Sequence, residues 1–405
     1  MRRGNRWIVV MAAAGIGLLG CLAAGIFLKS NSARETWTAA AGENIKISPE
    51  QGREEESEAW IQKAENINPE VTEGADPNAG AAAEETGAQG QSEAAGEGGG
   101  SGTESEQSLK PLVSREEETG PRPSSDIVML FAGDVYFSDH VLNAYDSGGG
   151  IQGVLDEGIR AEIQAADIFM VNQEFPFTVR GTPAIDKQFT FRVPESRIHI
   201  LQEMGVDIVT LANNHILDFG PDGLLDSCEA LDAAGILRVG GGKDFDEASQ
   251  LKTMIVGQKT IGFLGTSRVY MDTSWAAGDS HPGVFSTYDT TLPLKAIREA
   301  RDACDYLVVY VHWGVEREET PKDYQRAMGR AYIDAGADLV VGSHPHVLQP
   351  VEEYNGKTIV YSLGNFVFGS SIPNTALLKV VWGDNGADVS LIPCTSSGGY
   401  TKLKN

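Results

Sequence analysis

From residue 127 onward, short apolar runs of strand length alternate with stretches of helical periodicity, and this alternation narrows the fold more than any other feature. Residues 127–132, 168–171, 208–211, 306–311 and 338–341 are near-continuous apolar runs, the pattern of strands covered on both faces. Helical patterns fall between them, over 154–165, 196–205, 223–234, 294–303 and 323–335. Ser196 is the expected N-cap of the second, and Gly205 and Gly235 the expected stops of the second and third. Further strands are expected near 253–256, 261–264 and 358–361, followed by two β-rich runs reaching Cys394. The expectation is an α/β fold with a largely buried sheet, finished by an antiparallel portion. The stretch 126–405 is long enough for one large core.

The preceding residues cannot join that core. Between Lys29 and Ser125 there are 20 Asp and Glu against 8 Lys and Arg, a net charge of −12 out of −25 for the whole chain. Rich in Gly, Ala, Ser and Gln, this stretch buries too little apolar surface to offset the entropy of ordering, so residues 29–125 read as a disordered acidic tether. Before it, Trp7 to Leu28 is a 22-residue apolar run preceded by Arg2, Arg3 and Arg6. Its length suits one transmembrane helix, and the arginines favour a cytoplasmic N-terminus, with the rest of the chain outside the cell membrane. A cleaved signal peptide, or a lipoprotein signal ending at Cys21, are the rival readings of residues 1–28. The overall acidity argues against nucleic-acid binding, since nothing would neutralise phosphates. Outside the apolar run, Cys228, Cys304 and Cys394 allow at most one bridge and are expected to be buried thiols.

Ligand-type residues recur just after the expected strands. Asp134, Glu174, Asn214 with His215, His312, and His344 with His346 occupy five such ends, where open α/β sheets bind ligands. Each alone has a bland explanation, such as a turn Asp or a hydrogen-bonded His. Five together are hard to assign to chance. The run Gly342, Ser343, His344, Pro345, His346 places two of the chain's seven histidines on one turn, with Pro345 fixing it. Carboxylate, amide and imidazole together suit a divalent ion such as Mn²⁺, Fe²⁺ or Zn²⁺, and a carboxylate among several histidines can bridge two ions. Other chemistries lack support. There is no Gly-x-Ser-x-Gly elbow, and Gly240 to Lys243 lacks P-loop spacing and is expected to be a turn.

In these residues the chain resembles the bacterial capsule-synthesis (CapA) family. The resemblance is carried by Gly133–Asp134, Asn172 to Glu174, Ala212 to Gly220, Val311 to Gly314, Gly342 to His346 and Tyr361 to Phe366. It implies a calcineurin-like metallophosphoesterase fold, a four-layer α/β/β/α sandwich, and a role in making or exporting poly-γ-glutamate. It further implies Asp134 and His346 on one metal, Glu174 bridging, and Asn214, His312 and His344 on the second. His215 would be a general acid oriented by Asp218. Arg192 or Arg317 would be candidates for neutralising an anionic substrate. Two departures stand out: Tyr136 occupies the place of a usual ligand His, and Glu174 that of a usual bridging Asp. The first makes a single ion, or a weakly held second one, an open alternative. The expected partners are other membrane proteins of capsule synthesis and an anionic polymer. A non-catalytic assembly or export factor and a general phosphoesterase or nucleotidase are the alternative functions.

Overall fold

The computed structural model describes residues 126–369 and 371–404; the expected anchor at 7–28 and the tether at 29–125 lie outside the described residues. The chain lays down β1 (Ile127–Val135), α1 (Asp139–Gly148), α2 (Glu157–Ala165), β2 (Ile168–Gln173), α3 (His199–Met204), β3 (Ile208–Thr210), α4 (Gly220–Ala234) and β4 (Leu237–Val239). Short β5 (Gly241–Gly242) and α5 (Phe245–Ala248) lead into β6 (Lys252–Val256), β7 (Lys259–Ser267) and β8 (Gly283–Val284). Next come α6 (Thr291–Arg301), β9 (Tyr306–His312), α7 (Asp323–Ala335) and β10 (Leu339–Ser343). The last strands are β11 (Val351–Tyr354), β12 (Lys357–Val360), β13 (Asn365–Val367), β14 (Ser371–Gly383), β15 (Gly386–Ser397) and β16 (Tyr400–Leu403).

These strands make two main sheets. One runs β16–β15–β14–β1–β2–β3–β4, with β13 also on β1; the other runs β11–β12–β10–β9–β7–β6. Strands β1 to β4 are mutually parallel, as are β7, β9, β10 and β12, while β14 to β16 form the antiparallel finish. Side chains alternate across each strand, and both sets find partners. Met129, Phe131, Ile168 and Met170 meet Phe263, Val308, Tyr310 and Val341 between the sheets. The opposite face of the first sheet, with Leu130, Phe169 and Val209, packs on Val141, Ile159, Leu201 and Leu224 of α1 to α4. Leu264, Leu307 and Val340 of the second sheet pack on Ile297, Met328 and Tyr332 of α6 and α7. The order is helix, sheet, sheet, helix, and two-sided burial explains why the strands read as continuous apolar runs.

Several local expectations need correction. Ser196 caps no α-helix: residues Glu195–Arg197 form a 3₁₀ turn and α3 begins after Ile198, although Gly205 ends it at φ 83°. Helix α2 starts at Glu157, because the Asp156 carboxylate accepts from the Ile159 N–H at 2.7 Å. Helix α1 has no counterpart in the sequence reading, since only Val141 and Tyr145 give it a buried stripe. Gly240 does turn the chain at φ 81°, but Gly241 and Gly242 form β5, paired with β8, where a turn was expected.

Two glycines bring strand ends together at the future site. A Cβ on Gly133 would lie 1.8 Å from the Gly364 carbonyl oxygen, and one on Gly342 2.1 Å from that of Tyr361. The bare Gly133 lets β1 pair with β13, setting Asp134 opposite Asn365, and the bare Gly342 lets the end of β10 lie against the chain that follows β12.

Candidate metal centre

The carboxyl ends of β1, β2, β9 and β10 converge with the loop after β3. Asp134, Glu174 and His312 are fully buried, and His344 is 5% exposed. One ligand atom each from Asp134, Glu174 and His346 lie within 4.8 Å of one another, and the same holds for Glu174, His312 and His344. Glu174 belongs to both sets, the position a bridging carboxylate would take. Asn214 joins the second set, its Oδ1 lying 2.9 Å from His312 Nε2.

A scaffold of amides holds these groups. Asn172 Nδ2 donates to Asp134 Oδ1 at 2.7 Å, and Asn213 Nδ2 donates to Asn172 Oδ1 at 3.0 Å. Asn213 Oδ1 accepts from the His215 and Ile216 N–H groups, both at 3.0 Å. Asn213 thus ties the loop after β3 to β2. His312 Nδ1 lies 2.9 Å from Ser343 Oγ, and His346 Nδ1 lies 2.7 Å from Asn365 Oδ1. Such outer contacts fix imidazole orientation where histidines ligate metals. His344 and His346 both have positive φ, 96° and 58°, backbone strain that a densely connected site sustains.

The electrostatics are those of a cation site. Burial tends to raise the Asp134 carboxyl, but the hydrogen bond and charge of His346, helped by His312 and Asn172, carry it below the usual range. Burial and the nearby Asp134 raise Glu174. Burial also works against charge on His346, yet Glu174 and Asp134 outweigh it and push the imidazole up to about 10. His344 is driven well down by burial and by the basic side chains around it, His312 first among them. Both carboxylate oxygens of Glu174 and the Nδ1 of His344 are buried without a hydrogen-bond partner. Buried polar atoms are rarely left so. Divalent ions held by the two sets, Asp134, Glu174 and His346 on one side and Glu174, Asn214, His312 and His344 on the other, would give these buried atoms partners, so the donor set fits the group.

Beside this cluster, His215 Nδ1 lies 2.7 Å from Asp218 Oδ2, which also accepts the Phe191 N–H at 2.6 Å. Nδ1 therefore carries the proton and Nε2 remains as an acceptor. Burial, then the charge of Lys187, lower His215 to about 4 against the pull of Asp218. At neutral pH the ring is a base, and it donates a proton only after first receiving one. The acid role implied by resemblance therefore needs a prior protonation.

Lys187 is the residue that sequence reasoning missed. Its Nζ bonds the Asn214 carbonyl and Asp218 Oδ1 and lies 3.1 Å from His215 Nδ1. It sits in an irregular loop without a motif, so only the fold brings it to the dyad. Phe191, also unanticipated, stacks on His215 at 4.1 Å between ring centroids, and Tyr136 stacks on Phe191 at 4.1 Å. Arg192 lies over the Phe219 ring at 4.2 Å, and the Arg317 N–H donates to the Pro345 carbonyl at 2.8 Å. Cys228 and Cys394 are buried free thiols and Cys304 is half-buried.

Lys187→Met is expected to lower stability by roughly 1–3 kcal/mol, because one oxygen of buried Asp218 loses its donor while the other keeps two. Removing the charge also raises the His215 titration midpoint above about 4. Thermal unfolding and imidazole NMR titration measure the two effects.

The fold and donor set define an α/β protein built around a carboxylate-and-imidazole centre suited to divalent cations. The profile of the family described as "Bacterial capsule synthesis protein PGA_cap" matches residues 128–370, and the chain belongs to this family, within the metallophosphoesterase-like superfamily. It is 34% identical over 250 residues to the "PGA biosynthesis protein CapA" of Bacillus subtilis (strain 168), covering 60% of this chain and 64% of that protein. With the "Capsule biosynthesis protein CapA" of Bacillus anthracis it shares 30% over 304 residues, 72% of this chain and 73% of the relative. The match thus spans less than two thirds of the Bacillus subtilis protein. Among solved structures, the sulfate thiohydrolase SoxB of Thermus thermophilus superposes with a TM-score of 0.39 at 15% identity, over 68% of this chain and 58% of SoxB.

Proposed function

We propose that this protein acts in poly-γ-glutamate capsule synthesis through a divalent-metal centre able to hydrolyse a phosphate ester or a related anionic substrate. The unsatisfied Glu174 oxygens between two histidine-containing donor sets carry this reading. The names of the Bacillus relatives support the capsule role. In the same proposal, the apolar run 7–28 anchors the chain in the cell membrane and the centre faces outward. The partners are then membrane proteins of the same machinery and the anionic polymer.

When bound, divalent ions supply Lewis acidity and positive charge toward a substrate oxyanion. The chain's own groups do the rest. Glu174 and Asp134 would hold the cations, and the Asn172–Asn213 amide chain keeps the donors in register. His215, its Nδ1 fixed by Asp218, handles the proton at Nε2. Lys187 adds a fixed positive charge beside it, local compensation for a strongly acidic chain.

The test uses detergent-solubilised full-length protein. Elemental analysis should find bound divalent metal, and turnover of phosphate esters or poly-γ-glutamate should fall about 10²- to 10⁴-fold in His215→Ala with metal content retained. Absence of metal in the wild type would sink the proposal. Metal without turnover, with polymer binding intact in His215→Ala, would make the fold a binding module for assembly or export.

A further inference from the structure

We propose that Glu316 is a ligand of the divalent-ion centre, entering from its solvent side to join His344 and His346. The inference rests on the metal-site reading above and adds a residue outside the strand-end set.

One carboxylate oxygen of Glu316 and one nitrogen each of His344 and His346 lie within 4.8 Å of one another. His344 is 5% exposed, and its Nδ1 is a buried ring nitrogen without a hydrogen-bond partner. Glu316 itself is exposed, on the loop that leaves β9. That loop is held at both sides of the residue. The Gly314 N–H donates to Tyr324 Oη at 2.8 Å, the Arg317 N–H to the Pro345 carbonyl at 2.8 Å, and Gln349 Nε2 to the Glu318 carbonyl at 2.7 Å. Pro345 stands between the two histidines, so the Arg317 bond ties the loop to the turn that carries them.

Close packing maintains the same geometry. A Cβ on Gly314 would lie 2.8 Å from Pro345 Cγ, and Arg317 takes a positive φ of 63°, a conformation costly for a side-chain-bearing residue. The coordination need is also visible. Asp134, Glu174 and His346 offer three donors on one side of the centre, whereas Zn²⁺ takes about four and octahedral ions about six. Tyr136, two residues after Asp134, is committed to its stack with Phe191. Glu316 is the further carboxylate that the fold brings to the histidines.

Calorimetric titration of Mn²⁺ into chelator-stripped full-length protein tests the assignment, with Glu316→Gln, Glu316→His and Glu318→Gln beside the wild type. Glu316→Gln is expected to weaken binding by roughly 10- to 100-fold, the scale seen when groups supporting a metal site are removed. Glu316→His, which keeps a donor without the charge, should recover much of the affinity, and Glu318→Gln should match wild type. The loss should persist at high ionic strength, where a through-space effect shrinks with a Debye length of about 3 Å at 1 M salt. Equal binding by wild type and Glu316→Gln, or a deficit that vanishes in salt or is not relieved by His, would overturn this assignment alone. A wild type that binds no Mn²⁺ would overturn the metal reading as well.

Discussion

Glu174→Gln is expected to make the chelator-treated protein more stable while abolishing most of its stabilisation by divalent metal. Glu174 is fully buried, neither carboxylate oxygen has a hydrogen-bond partner, and Asp134 stands beside it. Its carboxyl is raised by burial first and by Asp134 second. A raised acid pKa means the folded state disfavours the ionised form, so near neutral pH this residue costs stability. An unsatisfied buried group costs about 1–3 kcal/mol, and about 1 kcal/mol corresponds to roughly 2–4 °C in a domain of this size class. The glutamine variant removes the charge at nearly constant volume, so the apo melting temperature should rise by several degrees. Metal present at about 100 times its Kd adds about 2.7 kcal/mol to a protein that binds it, and the variant should lose most of that gain. Differential scanning calorimetry with and without Mn²⁺ measures both halves. A variant with a lower apo melting temperature would show that Glu174 has a structural partner in solution.

Metal affinity should rise steeply with pH from 6 to 8 and keep rising beyond the range where ordinary histidines titrate. His346 is pushed up to about 10 by Glu174 and Asp134, against the opposing effect of burial, so the metal-free site holds a proton there at neutrality. A ligating imidazole must be neutral, and metal uptake therefore expels that proton. One proton released per ion gives about tenfold tighter binding per pH unit, about 100-fold between pH 6 and 8. Apo stability should move the other way. A group whose folded pKa is raised contributes fully below its unfolded value, about 6.5 for histidine, and loses that contribution as pH climbs toward the folded value. His215 does not confuse this window, because its value is lowered to about 4 and its contribution is lost on acidification below 6.5. Calorimetry in buffers of different ionisation enthalpy counts the proton directly. Affinity that is flat from pH 6 to 8 would mean His346 is neutral before the ion arrives.

Both effects come from one arrangement: negative charge held at two fully buried carboxylates. Asp134 keeps its charge through Asn172 at 2.7 Å and His346 at 3.2 Å, whereas Glu174 has only the longer contacts to His312 at 3.4 Å and His346 at 4.0 Å. The difference makes Asp134 the better-compensated carboxylate before metal arrives, and Glu174 the one most relieved by it. Functional sites commonly retain such local destabilisation.

Much of this was legible in the chain itself. Two-sided burial writes continuous apolar runs, so β1, β2, β9 and β10 could be read directly, and helix α7 falls on the expected residues 323–335. Asp134, Glu174, Asn214, His312, His344 and His346 were visible because each follows such a run, and parallel strands deliver their carboxyl ends to one edge. The tertiary structure decided the remainder. Lys187, Phe191 and Glu316 sit on irregular loops with no periodicity, and only the packing of one loop on Asp218 and another on Pro345 brings them to the histidines. Likewise, Ser196 has the chemistry of a cap but lies in a 3₁₀ turn, because local preference of about 1 kcal/mol yields to the packing of Ile200 and Leu201 in the core. Residue types set which chemistry the site could hold; long-range contacts, which no local pattern encodes, set which side chains share it.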